Sequence, residues 1–221
     1  MAARSEIGKV LNIIAKEVEK FSDPSVTKIA RETSNDPYKV LVSCLLSLRT
    51  RDETTANASH RLYKLAETPK QMVKLKRKQI EDAIYPVGFY RVKAKRILDI
   101  SRTLLDEYDG KVPQTMEELL KLRGVGRKTA NIVMTYGFNN PDTIAVDIHC
   151  HRIPNRLGWV KTRNPNETEE ELLKIVPRKS RRLLNNTLVT FGQNICKPIS
   201  PLCSKCAVRR HCKRIGVKTS R

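Results

Sequence analysis

The chain has 221 residues, enough for one ordinary domain or two small ones. Its 43 Lys and Arg residues outnumber 23 Asp and Glu residues, and the resulting net charge of +20 indicates a polyanionic partner. No apolar run approaches the ~18 residues of a membrane span, and residues 1–9 are too charged for a secretory leader. We therefore expect an intracellular protein of the cytoplasm or nucleoid, without disulfides and without membrane association.

The first helices are predicted from apolar spacing and from a helix-start signal. In residues 6–21 apolar side chains recur at helical spacing opposite Lys and Glu residues, which predicts an amphipathic helix. Asp36 followed by Pro37 is typical of a helix start, with Asp36 as the cap and Pro37 at the first helical position. It opens the apolar run of residues 40–48, which we expect to be a buried helix at the centre of the core.

The apolar run ends abruptly in the polar residues 47–52. A polar end on a buried helix can expose functional side chains. Another helix is expected from about Thr54, a further one over residues 68–84, and a basic amphipathic one over residues 91–106.

A short glycine-containing loop precedes the helix of residues 91–106 and brings two aromatic residues next to Gly88. Phe89 and Tyr90 have two possible roles. They are either buried core anchors or exposed aromatic side chains that wedge into a stack of bases.

Residues 122–130 contain two glycines, a lysine and a helix start, and we expect them to form the working centre. Thr115 and Glu118 are spaced for a capping box that opens a helix running up to Gly124. A second helix is predicted directly after the glycines. Because glycine accepts positive φ and close backbone approach, Gly124 and Gly126 favour a helix-hairpin-helix whose unpaired N–H groups bind a phosphate. The alternative is a plain αα-hairpin in which the glycines only relieve crowding.

Beyond the hairpin, the apolar run of residues 143–147 leads into Asp147, which precedes a predicted helix over residues 148–157. The Thr-x-x-Glu spacing at Thr168 predicts the start of another helix, and residues 180–191 predict one more. Since alternation of period two is not sustained anywhere in the sequence, the predicted fold class is all-α.

Two charged residues in these helices suggest chemistry. Lys128 lies in the first turn of the second hairpin helix, where the helix dipole disfavours an ammonium group. If it is also removed from solvent, its neutral amine could attack carbon and form a Schiff base. Asp147 could accept a proton and stabilise positive charge on a sugar as a base departs. The simpler roles are a phosphate contact for Lys128 and a helix N-cap for Asp147.

Four cysteines near the C-terminus predict a closed metal centre with a structural role. They are Cys196, Cys203, Cys206 and Cys212. Zinc usually takes two close pairs of ligands, whereas a single four-iron cluster tolerates uneven spacing, so both remain open with the cluster favoured. Cys44 and Cys150 lie inside predicted helices and are expected to be buried apolar side chains.

Taken together, these motifs resemble those of the endonuclease III family of helix-hairpin-helix DNA glycosylases. The resemblance rests on Leu-x-Gly-Val-Gly-Arg-Lys-Thr-Ala at residues 122–130, on Ala-Val-Asp-x-His at residues 145–149, and on the four-cysteine spacing. It implies a [4Fe-4S] cluster bound by the four cysteines. It also implies two helical domains that flank a DNA-binding cleft, a six-helix barrel with the hairpin in residues 30–140 and a cluster domain formed by residues 1–29 with 141–221.

By the same resemblance, Lys128 is the nucleophile that attacks C1′ of a flipped nucleotide, expels the base, forms an imine and nicks the strand by β-elimination. Asp147 corresponds to the family's essential carboxylate. The residues expected to contact DNA are Gly124, Val125, Gly126, Arg127, Ser47, Arg49, Phe89 and His149. Arg49 replaces a Gln with which many relatives fill the gap left by the flipped base, and Phe89 falls at the family's wedge position.

The leading hypothesis is a monomeric bifunctional DNA glycosylase and apurinic/apyrimidinic lyase that excises oxidised pyrimidines from duplex DNA. The alternative is a relative tuned to thymine or uracil opposite guanine, because Arg49 presents different donors to the orphaned base. A third hypothesis, from another class, is a non-catalytic iron–sulfur protein that binds DNA.

Overall fold

The computed structural model describes residues 4–221. Residues 1–3, part of the stretch expected to be too charged for a secretory leader, lie outside that range. The described residues form helices, turns and loops without a strand, which confirms the all-α prediction, and none of their helices is long and apolar enough to cross a membrane. The chain divides into two compact units, Ser25–Asn139 and the described residues up to Pro24 together with Asn140–Arg221.

The unit Ser25–Asn139 is built around one buried helix. Its helices are α2 (Ser25–Glu32), α3 (Pro37–Ser47), α4 (Asp52–Leu65), α5 (Pro69–Met72), α6 (Arg77–Ile84), α7 (Tyr90–Glu107), α8 (Met116–Lys121) and α9 (Arg127–Ile132), followed by a π-helical turn (Val133–Gly137). Residues 40–46 of α3 are all buried, and α3 packs against α2, α4, α7 and α9. Asp36 accepts a hydrogen bond from Lys39 N at 2.9 Å and Pro37 occupies the first helical position, which confirms the predicted helix start.

The single helix predicted over residues 68–84 is wrong, because the chain forms two helices, α5 and α6, with a break between them. Thr68 and Gln71 form a capping box at the start of α5. The chain then leaves the helix at Val73 and restarts after Lys76, whose backbone N–H donates to Gln79 Oε1 at 2.8 Å. The apolar periodicity continues across the break, and the capping side chains decide where each helix begins.

Helix α2 was not singled out from the sequence, although Asp23 followed by Pro24, directly before it, is the same kind of start signal as Asp36 followed by Pro37. Asp52, the first residue of α4, accepts hydrogen bonds from Ser25 N at 3.0 Å and from Ser25 Oγ at 2.8 Å. A carboxylate at this position satisfies an N–H group that has no partner within the helix. The start of α2 therefore combines a local signal with a capping side chain that lies 27 positions away.

The other unit packs its first helix against the last long one. Its helices are α1 (Arg4–Val18), α10 (Ile148–Leu157), α11 (Pro165–Ile175) and α12 (Arg178–Asn194), with 3-10 turns at Cys203–Lys205 and Arg209–His211. α12 packs against both α1 and α10, and the shared core includes Ile7, Ile14, Leu188 and Phe191. The predicted helix over residues 148–157 has the same bounds as α10. Helix α1 ends at Val18, three residues before the predicted end at residue 21. Helix α12 begins before and ends after the predicted range of residues 180–191.

The predicted helix start at Thr168 is wrong, because α11 begins at Pro165 with Asn164 as its cap. Asn164 Oδ1 accepts from Glu167 N at 3.0 Å. Thr168 is instead buried inside the helix, where its Oγ1 lies 2.6 Å from His151 Nδ1. Asn164 followed by Pro165 is the same kind of signal as Asp36 followed by Pro37, and it overrides the weaker Thr-x-x-Glu pattern.

Candidate functional site

The hairpin joins α8 to α9 as predicted, but its two glycines differ in conformation. Gly124 has a φ of 87°, in the left-handed region, whereas Gly126 has a φ of −100° and caps α9 in an extended conformation. The expectation of positive φ therefore holds for Gly124 and is wrong for Gly126. The capping box at α8 is half formed, because Thr115 accepts from Glu118 N at 3.2 Å while the Glu118 carboxylate accepts from Tyr108 Oη at 2.6 Å.

The space around the glycines indicates what each one is needed for. A Cβ at Gly124 would lie 2.5 Å from the flexible end of the Arg96 side chain, which would have to move, and the positive φ of Gly124 is the stronger reason for glycine there. A Cβ at Gly126 would meet no atom within 4 Å. The backbone at Gly126 is thus open to a partner, and its position at the start of α9 points N–H groups outward, as an anion site needs.

Lys128 is the second residue of α9 and is exposed, as is Arg127 beside it. Its amine is accessible to a ligand that approaches the hairpin. Burial raises the pKa of the Cys44 thiol to about 12, and the nearby positive charge of Lys128 lowers that pKa by a smaller amount. Cys44 is therefore a buried, protonated side chain, as predicted, and Cys150 is fully buried as well.

Two loops from distant parts of the same unit bring Arg49 and Phe89 together. α3 ends at Ser47, and Arg49 follows with a φ of 54°. Phe89 precedes α7 with a φ of 58°. Phe89 is 62% exposed, which excludes the core-anchor role for this residue. The guanidinium carbon of Arg49 lies 5.8 Å from the centroid of the Phe89 ring, within the range of a cation–π contact.

The backbones of these loops are in direct contact. Gly88 N donates to Thr50 Oγ1 at 3.2 Å, and a Cβ at Gly88 would lie 2.7 Å from the carbonyl oxygen of Arg49. Only glycine permits this approach. Ser47 donates its hydroxyl to Cys44 O at 2.8 Å, a bond inside α3.

Asp147 caps α10 in the other unit. Its Oδ1 accepts from His149 N and Cys150 N, both at 2.9 Å, which confirms the simpler of its two predicted roles. His149 Nδ1 lies 3.0 Å from Arg152 Nη2, and a Cβ at Gly192 would lie only 2.2 Å from that nitrogen. The His149 ring is therefore held between α10 and α12.

The four C-terminal cysteines line one cavity, together with apolar residues that include Ile153 and Phe191. The cavity they line is small, about 30 Å³. Within residues 4–221, no three His, Cys, Asp or Glu side chains converge closely enough to hold a single ion. Burial raises the pKa of Cys206 to about 12, so a strongly cationic partner is needed to hold it as a thiolate.

Two arginines on α10 that sequence reasoning missed contact the segment around Cys196, and Arg156 also lines the cavity. Arg156 is buried and donates to Lys197 O at 2.7 Å, and its Nη1 lies 3.5 Å from Cys196 Sγ. Arg152 donates to Cys196 O at 2.8 Å. Arg152 follows His149 by three residues and Arg156 follows Arg152 by four, which places all three on one helix face, and basic residues on a buried face were the available signal.

Comparison with known proteins decides the family. Residues 42–178 match the profile of the HhH-GPD superfamily of base excision DNA repair proteins. The chain is 49% identical over 197 residues to endonuclease III of Thermotoga maritima, an alignment that covers 89% of this chain and 92% of that one. The chain belongs to the endonuclease III family. It is also 42% identical to endonuclease III-like protein 1 of Gallus gallus, over 86% of this chain and 72% of the relative, and it spans about half the length of two Arabidopsis thaliana homologues of endonuclease III.

Solved structures of the endonuclease III family have the same fold. A non-covalent endonuclease III–DNA complex superposes with a TM-score of 0.81 at 31% identity, and a trapped endonuclease III–DNA covalent intermediate with 0.79 at 30% identity, each over 97% of both chains. A thermostable thymine-DNA glycosylase superposes with a TM-score of 0.82 at 24% identity, over 96% of this chain and 95% of that one, which shows a shared fold. The helix-hairpin-helix glycosylase fold predicted from the sequence is thus confirmed.

Proposed function

We propose that the chain is a bifunctional DNA glycosylase and apurinic/apyrimidinic lyase that removes oxidised pyrimidines from duplex DNA in base excision repair. The observation that carries the proposal is the exposed Lys128 in the first turn of α9, directly after a glycine turn whose backbone is open at Gly126. A phosphate bound by the hairpin would bring the sugar of a nearby nucleotide within reach of this amine.

In the proposed reaction the Lys128 amine attacks C1′ of a flipped nucleotide. The bond from C1′ to the base breaks, and the base leaves with the electron pair and is protonated. The nitrogen gives up a proton, the bond from C1′ to O4′ breaks as the sugar ring opens, O4′ takes up a proton, and the protonated imine forms between the nitrogen and C1′. Loss of a proton from C2′ then expels the 3′ phosphate, which nicks the strand. Asp147, held by two backbone N–H groups at the start of α10, stabilises positive charge on the sugar and accepts a proton.

The remaining site residues would bind and distort the DNA. Gly124, Val125, Gly126 and Arg127 grip backbone phosphate. Arg49 and Phe89 are adjacent and exposed. Arg49 fills the gap left by the flipped nucleotide, and Phe89 inserts between the neighbouring bases. Ser47 on α3 and His149 on α10 are further residues that we propose to contact DNA. The net charge of +20 supports a duplex DNA partner and salt-dependent binding. We propose that the protein acts as a monomer.

We further propose that Cys196, Cys203, Cys206 and Cys212 hold a [4Fe-4S] cluster. Four thiols that line one cavity suit a closed metal centre, and their uneven spacing, with only Cys203 and Cys206 closely paired, differs from the two close pairs that zinc usually takes. When bound, the cluster would supply a structural cross-link. Residues 1–29 with 141–221 would then form the cluster domain and residues 30–140 the six-helix barrel. The enzyme would act in the cytoplasm or nucleoid, where the DNA is.

Borohydride trapping on duplex DNA with one abasic site tests the central step. Wild type and the control Lys121→Ala, which removes an exposed lysine at the end of α8, should form a covalent adduct. Lys128→Ala should form essentially none. A wild type without adduct would favour the non-catalytic DNA-binding hypothesis, and full trapping by Lys128→Ala would refute the assignment of the nucleophile.

Arg49 favours one second candidate, a glycosylase for thymine or uracil opposite guanine. Its cationic fork offers several donors to the base left opposite the gap. Excision rates on duplexes with an oxidised pyrimidine and on duplexes with a guanine·thymine or guanine·uracil pair decide between the two substrates. We expect the oxidised pyrimidine to be released faster, and the reverse order would establish the second candidate.

A further inference from the structure

Lys93, near the start of α7, is a buried lysine directed at the end of α3. It is only 5% exposed, and its Nζ donates to Leu46 O at 2.8 Å, Leu48 O at 2.5 Å and Thr50 Oγ1 at 3.2 Å. An ammonium group has three N–H donors, and these three acceptors match them. The carbonyls at the end of a helix also carry its negative partial charge, which favours a cation there.

The loop that Lys93 holds has an unfavourable backbone conformation. Arg49 lies in the left-handed region of φ, where residues other than glycine have a higher conformational free energy. Lys93 binds the residues on both sides of it, Leu48 and Thr50. Such a conformation persists only where the surrounding structure holds it in several ways, and Lys93 supplies three of those contacts.

The same lysine is tied to the loop that carries Phe89. Lys93 N donates to Phe89 O at 3.0 Å, so both residues lie on one turn. Thr50 Oγ1, which accepts from Lys93 Nζ, also accepts from Gly88 N at 3.2 Å. Lys93 thus connects the loop that carries Arg49 with the loop that carries Phe89.

We propose that Lys93 is a positioning residue that holds Arg49 and Phe89 in the geometry with which they distort DNA around the target nucleotide. This inference rests on the proposed function and deepens it. Since Lys93 is buried and the other two side chains are exposed, it acts through them. Burial and the charge of Arg96 lower the pKa of Lys93 to about 8, so it keeps its three donors at neutral pH.

The test compares two reactions of the full-length protein. Excision of an oxidised pyrimidine from a duplex needs the base flipped and the gap filled, whereas borohydride trapping on single-stranded abasic DNA needs neither. Lys93→Met, which keeps the chain length but removes the donors, should lower duplex excision about tenfold or more and leave single-strand trapping unchanged. Lys95→Met, at an exposed lysine of the same helix, is the charge-matched control and should leave the ratio of the two rates at the wild-type value.

Two further variants keep the test decisive if Lys93→Met does not fold. Thr50→Val removes the acceptor shared by Lys93 and Gly88, and should lower duplex excision by a smaller factor with unchanged single-strand trapping. In an Arg49→Ala, Phe89→Ala background, Lys93→Met should cause no further loss, because a residue that acts through a partner has no effect once the partner is gone.

Equal losses in the two reactions would indicate a general structural role and overturn the inference. Unchanged duplex excision in both Lys93→Met and Thr50→Val would overturn it as well. A wild type that forms no adduct with abasic DNA, either duplex or single-stranded, would instead refute the proposed function, and this inference with it.

Discussion

The hairpin glycines allow the cost of folding to be separated from the cost of binding. Gly126→Ala adds a methyl group that meets no atom within 4 Å, at a φ of −100° that any residue adopts. The folding cost is the exchange of a good cap residue for a poor one, offset by a less flexible unfolded chain, and should stay within about 0.5 kcal/mol. The melting temperature should then change by ~2 °C or less.

The effect of Gly126→Ala on binding should be much larger. The methyl group occupies the space that a phosphate oxygen needs to reach the N–H groups at the start of α9. Hydrogen bonds to a charged group contribute ~1.5–3 kcal/mol, so the loss of one corresponds to roughly 10- to 100-fold weaker binding.

Gly124→Ala should instead act mainly by lowering the stability of the fold. A residue with a side chain at a φ of 87° costs ~1–2 kcal/mol, and the Arg96 side chain must also move away. Its melting temperature should fall by roughly 2–8 °C.

Thermal unfolding by circular dichroism, and fluorescence anisotropy with a labelled abasic duplex at several salt concentrations, measure both quantities. Gly126→Ala removes no charge, so its salt dependence should equal that of wild type, whereas Arg127→Ala should lower the slope by about 0.9. Unchanged DNA affinity in Gly126→Ala, or a larger loss of melting temperature than in Gly124→Ala, would refute the phosphate-binding role of Gly126.

Three further predictions concern the loops and the cysteines. Gly88→Ala places a methyl group 2.7 Å from the Arg49 carbonyl oxygen and should cost ~1–3 kcal/mol in urea unfolding, and an unchanged midpoint would contradict that contact. Wild type should contain ~4 iron atoms per chain, and Cys206→Ser should lower both the iron content and the visible absorbance of a [4Fe-4S] cluster. The control Cys44→Ser should keep both at the wild-type value. A wild type that contains zinc would contradict the cluster. Raising the pH from about 8 to 10 should increase the free energy of unfolding of wild type relative to Lys93→Met, measured in urea. In this range Lys93, with its lowered pKa, has lost its proton in the folded state but keeps it in the unfolded state, so a higher pH favours folding. Parallel curves of unfolding free energy against pH would contradict this.

Several features of the fold were readable from short stretches of sequence. Asp36 with Pro37 predicted the start of α3, Asp147 predicted the start of α10, and two glycines before a helix predicted the hairpin. These signals are local because capping bonds and φ preferences join residues only a few positions apart. The four cysteines could be recognised for another reason, because they all lie within 17 positions of the sequence.

Other features were missed because periodicity alone does not fix where a helix begins. Asp23 followed by Pro24 is a local start signal for α2, and Asp52 adds a cap from 27 positions away. The apolar pattern of residues 68–84 continues through a break that two capping side chains, Gln71 and Gln79, determine. Capping residues therefore set helix boundaries that periodicity misplaced, and only the contact of Asp52 needed the tertiary structure.

By itself the sequence determined the all-α class, the hairpin, the cysteine set and the excess of positive charge, since each depends on residue type and short spacing. Only the tertiary structure decided that Arg49 and Phe89 are neighbours, that Gly88 lets their loops touch, and that Lys93 joins both. It also decided that Gly126 needs no positive φ and that its backbone is left open. Contacts between residues that are far apart in sequence depend on the path of the whole chain, and no short pattern carries that information.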